Sequence, residues 1–228
     1  MKFNFEGKTV LITGASRGIG KEISKDFKDL GANVLSFNSA DYDLSKEIEL
    51  NKFIKYINEQ PKIDICINNA GINRINNIED ILERDYDDIM HVNTKAPFLI
   101  SQAVCSKMKK NNYGRIINVS SIFGHCTKEK RSCYTTSKFA LVGMTKSMAV
   151  EMAQYNVLIN SVAPGFTATE LTQKILGEKG IKEMSFQVPM RRLAQPEEIS
   201  KVVIFLASDF NTYITGQNII VDGGFVNV

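Results

Sequence analysis

"TVLITGASRGIG" (residues 9–20) packs three structural signals into twelve residues. Thr9 to Thr13 are apolar or β-branched and form a strand short enough to be buried on both faces. Glycines follow at 14, 18 and 20, and a stretch of helical period begins at Gly18. Glycine allows a tight turn and close approach of the backbone to a ligand, while a helix N-terminus offers unpaired N–H groups and partial positive charge. Strand, glycine turn and helix in that order form a cradle for the pyrophosphate of a dinucleotide.

The same alternation continues outward. Short β-rich runs, "NVLSF" (33–37), "IDICIN" (63–68), "RIINVS" (115–120), "VLINSVAP" (157–164) and "NIIVDG" (218–223), are separated by stretches of helical period. The helices are expected over 18–30, 45–58, 78–110, 134–155, 168–176 and 196–207. Parallel strands need a crossover, and the crossover covers a face, so this order predicts an α/β, doubly wound, Rossmann-like parallel sheet. Ligands of such sheets lie beyond the carboxyl ends of the strands. At 228 residues, without linker, repeat or low-complexity run, the chain is expected to form a single domain over 1–228.

A formal net charge of +3, with scattered basic residues, gives no reason to expect a nucleic-acid partner. No segment approaches the roughly 18 consecutive apolar residues of a membrane helix. Cys66, Cys105, Cys126 and Cys133 lack C-x-x-C spacing, His91 and His125 lie outside any metal-ligand pattern, and no signal peptide is visible. A cytoplasmic protein with free thiols and no bound metal is expected.

The G-x-x-x-G-x-G spacing of "TGASRGIG" resembles the short-chain dehydrogenase/reductase family. Five further motifs match it in order: "NNAG" (68–71), "SSIFG" (120–124), "YTTSK" (134–138), "PGFTAT" (164–169) and "ITGQNIIVDGG" (214–224). The 3-oxoacyl-[acyl-carrier-protein] reductases are the members it most resembles. The resemblance implies an NAD(P)-dependent enzyme that interconverts a ketone and a secondary alcohol by hydride transfer. Tyr134 would be the general acid/base. An ordinary tyrosine titrates near 10, too high for proton transfer at neutral pH, so a positive neighbour is needed, and Lys138 lies one helical turn on. In the family that lysine also holds the nicotinamide ribose. Ser121, thirteen residues before Tyr134, matches the carbonyl-orienting serine, and Ser120 is assigned to backbone satisfaction. Asn93 matches an asparagine that holds a water between the lysine and solvent.

The remaining cofactor contacts implied are Gly14, Ser16, Arg17, Gly18, Ile19 and Gly20 at the pyrophosphate, and Asn69, Ala70 and Gly71 beneath the adenosine. Asp43 and Leu44 would lie near the adenine, and Pro164, Gly165, Thr167 and Thr169 around the nicotinamide amide. Thr167 stands where relatives carry Val or Ile.

The chain departs from the family in one region. "VLSFNSADYDLSKE" (34–47) passes from the second strand to "DLS" (43–45) with almost nothing between, so the usual helix and third strand are shortened or missing. Six strands are expected, or six and a vestige near 40–43. Asn38 replaces the acid that grips ribose hydroxyls, and Arg17 stands where phosphate-preferring relatives carry a basic residue, which favours NADP(H) over NAD(H); Asp41 could reverse that preference. Asn112 and Tyr155 occupy positions where carrier-protein reductases dock their acidic carrier with basic residues, although Lys109 and Lys110 could substitute. Lys128, Lys130 and Arg131, just before Tyr134, are either a solvated charge run or the contact for an anionic or sugar-type substrate. The family also implies a homotetramer or homodimer. A dinucleotide sensor without chemistry, or a structural subunit, would predict a damaged site, but the serine, tyrosine and lysine are all present.

Overall fold

A computed structural model describes residues 3–228. Six parallel strands form one sheet: β1 (Thr9–Thr13), β2 (Asn33–Phe37), β3 (Ile65–Asn68), β4 (Gly114–Val119), β5 (Val157–Pro164) and β6 (Asn218–Val221), in the order β2-β1-β3-β4-β5-β6. The helices are α1 (Gly18–Asp29), α2 (Glu47–Glu59), α3 (Glu83–Met90), α4 (Ala96–Asn111), α5 (Ser132–Met152), α6 (Glu170–Gln187) and α7 (Pro196–Ala207).

Side chains alternate across each strand and divide the core in two. Leu11, Cys66, Ile116 and Ile159 face α2, α4 and α5, while Val10, Ile12, Ile65, Ile67, Ile117 and Val162 face α1 and α7. The step from β5 to β6 crosses the sheet in the same direction as those from β3 to β5, yet its helix α7 lies on the opposite face. That connection is therefore opposite in hand to the rest, an exception to the usual rule for parallel crossovers.

The helix and third strand usual in the family after β2 are absent, as the short 34–47 segment predicts. A turn at Asn38 to Asp41 leads directly toward α2, and β2 is left as the sheet edge. Phe37, Tyr42, Phe53 and Tyr56 fill the space, with Phe37 edge-on to Phe53 at 5.1 Å and to Tyr42 at 5.6 Å. Such pairs contribute roughly 0.5–1.5 kcal/mol each beyond their burial.

The helix expected over 78–110 is not continuous. A 3₁₀ turn at Ile78–Asp80 precedes α3, and a π turn at His91–Lys95 separates α3 from α4. Pro97 lacks the N–H that would close the α-helical bond to the Asn93 carbonyl, and Ala96 N–H reaches back to the His91 carbonyl instead. The fifth expected helix, 168–176, starts at Glu170 and runs on to Gln187, past a break at Gly177 (φ 61°).

A buried polar chain ties the site-bearing elements together. Asn68 Nδ2 donates to Ser101 Oγ (3.0 Å) and Asn118 Oδ1 (2.8 Å), and Asn118 Nδ2 donates to Thr145 Oγ1 (2.8 Å). β3, β4, α4 and α5 are thereby held in register by groups that are all satisfied.

Candidate active site

Because every strand is parallel, the segments following β1, β3, β4 and β5 gather at one end of the sheet. A cavity of about 470 Å³ opens there, lined on one side by the glycine turn and on the other by Asn69, Ala70 and Gly71. Ser16, Arg17, Ile19, Asn38, Asp43, Leu44 and Thr169 also line it.

The turn is packed too tightly for side chains. A Cβ on Gly14 would lie 2.8 Å from the Ala70 backbone, and one on Gly20 would fall on Asn69 Nδ2 and the Gly14 carbonyl. Asn69 Nδ2 donates to the Gly14 carbonyl at 2.9 Å, fixing the turn against the end of β3. No side chain caps the N-terminus of α1, so its first N–H groups border the cavity unpaired by side chains. Volume, bare backbone and an uncapped helix start together fit a dinucleotide.

At the β2 end, Asn38 Oδ1 accepts the Ala40 N–H at 2.8 Å and Asp41 Oδ2 accepts the Asn38 N–H at 2.9 Å, so both side chains are engaged in their own turn. The Ser45 hydroxyl, 2.7 Å from Asp43 Oδ1, helps hold the Asp43 carboxyl below the usual range. His91 Nδ1 meets the Leu44 carbonyl at 2.8 Å, joining the shortened loop to the π turn.

Tyr134 and Lys138 lie on the first two turns of α5, and Ser121 lies two residues beyond the end of β4. Lys138 is buried; its Nζ donates to the Val119 carbonyl at 2.9 Å and lies 5.5 Å from the Tyr134 ring centroid. Burial lowers Lys138 to about 8. Burial also pushes the Tyr134 phenol up, and the Ser121 hydroxyl and the Arg131 charge pull it back. Arg131 is thus a second cation near the phenol, beside Lys138.

The Asn93 side chain is wholly buried and engaged in protein contacts: Nδ2 donates to the Ile72 carbonyl (2.9 Å) and Ser137 Oγ (3.0 Å), and Oδ1 accepts the Ile72 N–H (2.9 Å). The acceptor left open by Pro97 is its backbone carbonyl. A Cβ on Gly71 would lie 3.4 Å from Asn93 Oδ1 and 3.6 Å from Lys138 Nζ, so the lysine and asparagine reach the cavity wall at Gly71. Gly18 approaches Thr169 similarly, at 3.1 Å.

Asn93, Ser121, Tyr134 and Lys138 adjoin this cavity through Gly71 without lining it, and Pro164, Gly165 and Thr167 do not line it either. Gly165 packs against Asp222, where a Cβ would lie 2.7 Å from Cα, and Thr167 Oγ1 donates to the Gly165 carbonyl at 3.1 Å. Ser120 Oγ has two acceptors for its one proton, the Val162 carbonyl (3.1 Å) and Asn218 Oδ1 (2.8 Å), on the β5–β6 side. Phe37, Tyr42, Phe53, Ile72, Arg74 and Val92 line the cavity without having been singled out from sequence. Arg74 was signalled by its place just beyond "NNAG"; it pairs with Asp85 (2.8 Å) and Asp88 (2.9 Å). The aromatic residues gave no such signal, because only the absent helix brings them to the wall.

Residues 36–226 match the family model described as enoyl-(acyl carrier protein) reductase. The 3-oxoacyl-[acyl-carrier-protein] reductase of Thermotoga maritima is 37% identical over 247 aligned residues, covering 97% of this chain and 98% of that one. Among solved structures, a gluconate 5-dehydrogenase from Burkholderia cenocepacia in complex with NADP and tartrate superposes with a TM-score of 0.90 at 26% identity, covering 100% of this chain and 98% of that one. A 4-hydroxyisoleucine dehydrogenase complexed with NADH gives 0.90 at 28%, covering 97% and 100%. The match extends from the phosphate cradle through the tyrosine helix to the last strand, and the chain belongs to the short-chain dehydrogenase/reductase family of NAD(P)-dependent oxidoreductases.

Proposed function

We propose that this enzyme interconverts a ketone and a secondary alcohol, with Tyr134 passing the proton to and from the substrate oxygen. The observation that carries this is the grouping of Tyr134 with the Ser121 hydroxyl, and of buried Lys138 with Gly71 at the cavity wall. The dinucleotide supplies or accepts the hydride. Ser121 donates to the substrate oxygen and orients it, and Tyr134 completes the proton transfer as charge develops there. Lys138 would hold the nicotinamide ribose and, at about 8, can exchange a proton near neutrality. The Asn93 carbonyl, left without an α-helical donor by Pro97, is the acceptor for a water leading from Lys138 to solvent. Tyr134→Phe should lower kcat roughly 10²-fold to 10⁴-fold on every responsive substrate; full activity in a carbonyl panel with NADH and NADPH overturns the assignment.

NADP(H) is the proposed cofactor. Arg17 is exposed on the cavity wall, and Asn38 presents no charge to repel a 2′-phosphate. Arg17→Ala should reduce kcat/KM for NADPH roughly tenfold more than for NADH; an equal loss on both counts against the preference.

The curated relative supports a 3-oxoacyl thioester as substrate. A second reading, a small hydroxy or oxo acid, is favoured by the uncharged Asn112 and Tyr155 at the carrier-docking positions, and by solved relatives named for gluconate and 4-hydroxyisoleucine. No described helix is long and apolar enough to cross a membrane, and all four cysteines are free, which supports a cytoplasmic location. Exposed Phe98, Phe139 and Val150 on α4 and α5 support a homodimer or homotetramer.

A further inference from the structure

Arg131 immediately precedes α5 and lies three positions before Tyr134. Lys128, Glu129 and Lys130 stay exposed, and Lys130 adopts a left-handed φ of 63°, unfavourable for a residue with a side chain. The chain turns there, and Arg131 leaves the solvated run. Its guanidinium carbon lies 5.8 Å from the Phe123 ring centroid, and Phe123 in turn packs edge-on to Tyr134 at 6.2 Å.

Nε and Nη1 of Arg131 are withdrawn from solvent and have no hydrogen-bond partner among the described residues. Arginine is always charged and has only donors, so burying two of its nitrogens unpaired is unfavourable unless something accepts from them. Arg115, at the opposite end of the sheet, provides the contrast. Its Nε is also unpaired, but Nη1 donates to the Gly114 and Asn156 carbonyls and Nη2 to that of Asn211. Arg115 is held by backbone; Arg131 is not.

We infer that Arg131 anchors a carboxylate of the substrate, which makes this enzyme a reductase or dehydrogenase of small oxo and hydroxy acids. A guanidinium can meet a carboxylate with two parallel hydrogen bonds, which fixes orientation as well as charge. A single withdrawn cation balances a single negative charge; a phosphate dianion would call for a second, and the nearby lysines remain in solvent. Arg131 flanks the start of α5, Tyr134 lies in its first turn, and Phe123 packs near both, so the carboxylate would lie within a few bonds of the carbon that faces Tyr134. The inference rests on the hydride chemistry proposed above and narrows its substrate.

The test pairs 2-, 3- and 4-oxo acids of four to six carbons with their methyl esters, in wild type, Arg131→Gln and Arg131→Lys. Wild type should favour the acids in kcat/KM by about tenfold or more, mainly through KM. Arg131→Gln should lose most of that preference, with kcat/KM for the acids falling about tenfold further than for the esters, and Arg131→Lys should keep part of it. A second arm needs no turnover: quenching of bound NADPH fluorescence by saturated dicarboxylic acids against their amides. Wild type handling acids and neutral analogues alike in both arms overturns the inference. So does Arg131→Gln losing acids and esters equally with a lowered melting temperature, the behaviour of a structural arginine. If Tyr134→Phe keeps full turnover, the proposed chemistry fails, and the binding arm still decides on Arg131.

Discussion

Lys138 brings a charge into the interior next to a phenol that burial also makes harder to ionise. The sign of its effect on stability follows from its value of about 8, below the usual 10.5. Below pH 8 both folded and unfolded chains carry the proton, and folding bears the full cost of burying it. Between about 8 and 10.5 the folded chain has lost the proton and the unfolded chain has not, so stability rises with pH. Cofactor-free wild type should gain roughly 3 kcal/mol relative to Lys138→Met between pH 7 and 10.5, because groups that titrate in both proteins cancel. Parallel urea-unfolding stabilities across that range would refute it. Gly20 makes the opposite kind of demand: a methyl group has nowhere to go between Asn69 and the Gly14 carbonyl. Gly20→Ala should cost roughly 1–3 kcal/mol in thermal unfolding and weaken NADPH binding.

Among the elements, the π turn shows what patterning conveys and what it does not. Apolar period alone made 78–110 one helix, and Pro97 by itself signals a stop. The chain does neither, because one wide turn absorbs the missing N–H and α4 continues. Pro97→Ala restores that donor and lets Asn93 close an α-helical bond. Its expected outcome is a lower kcat with an unchanged or raised melting temperature; unchanged kcat would separate the π turn from proton transfer. The strand-to-turn motifs were legible for a local reason, since glycine and small residues at strand ends follow from backbone geometry within a few positions. The buried Asn68–Asn118–Thr145 chain was not, because its members come from three elements distant in sequence. Asn118→Ala leaves Asn68 and Thr145 short of partners and should cost roughly 2–4 kcal/mol in denaturant unfolding.

For the whole molecule, loss of one helix and one strand shortens the sheet to six and exposes β2 as an edge. The aromatic cluster covers it from the α2 side and narrows one end of the cavity. The other broad apolar surface runs along α4 and α5, where Val150 is 82% exposed. Phe139→Glu with Val150→Glu should move the protein toward monomer in sedimentation velocity; wild type already monomeric at micromolar concentration would refute the oligomer. By itself the sequence determined the alternating fold, the phosphate cradle and the serine, tyrosine and lysine spacing, because each depends on residues close together in the chain. The tertiary structure alone decided which of the basic residues before Tyr134 leaves the solvent. Lys128, Lys130 and Arg131 are equivalent in sequence, but the left-handed turn at Lys130 and packing near Phe123 withdraw only Arg131's nitrogens from water. Burial depends on the surroundings that the fold assembles, and these three residues share no clue to it in their own order.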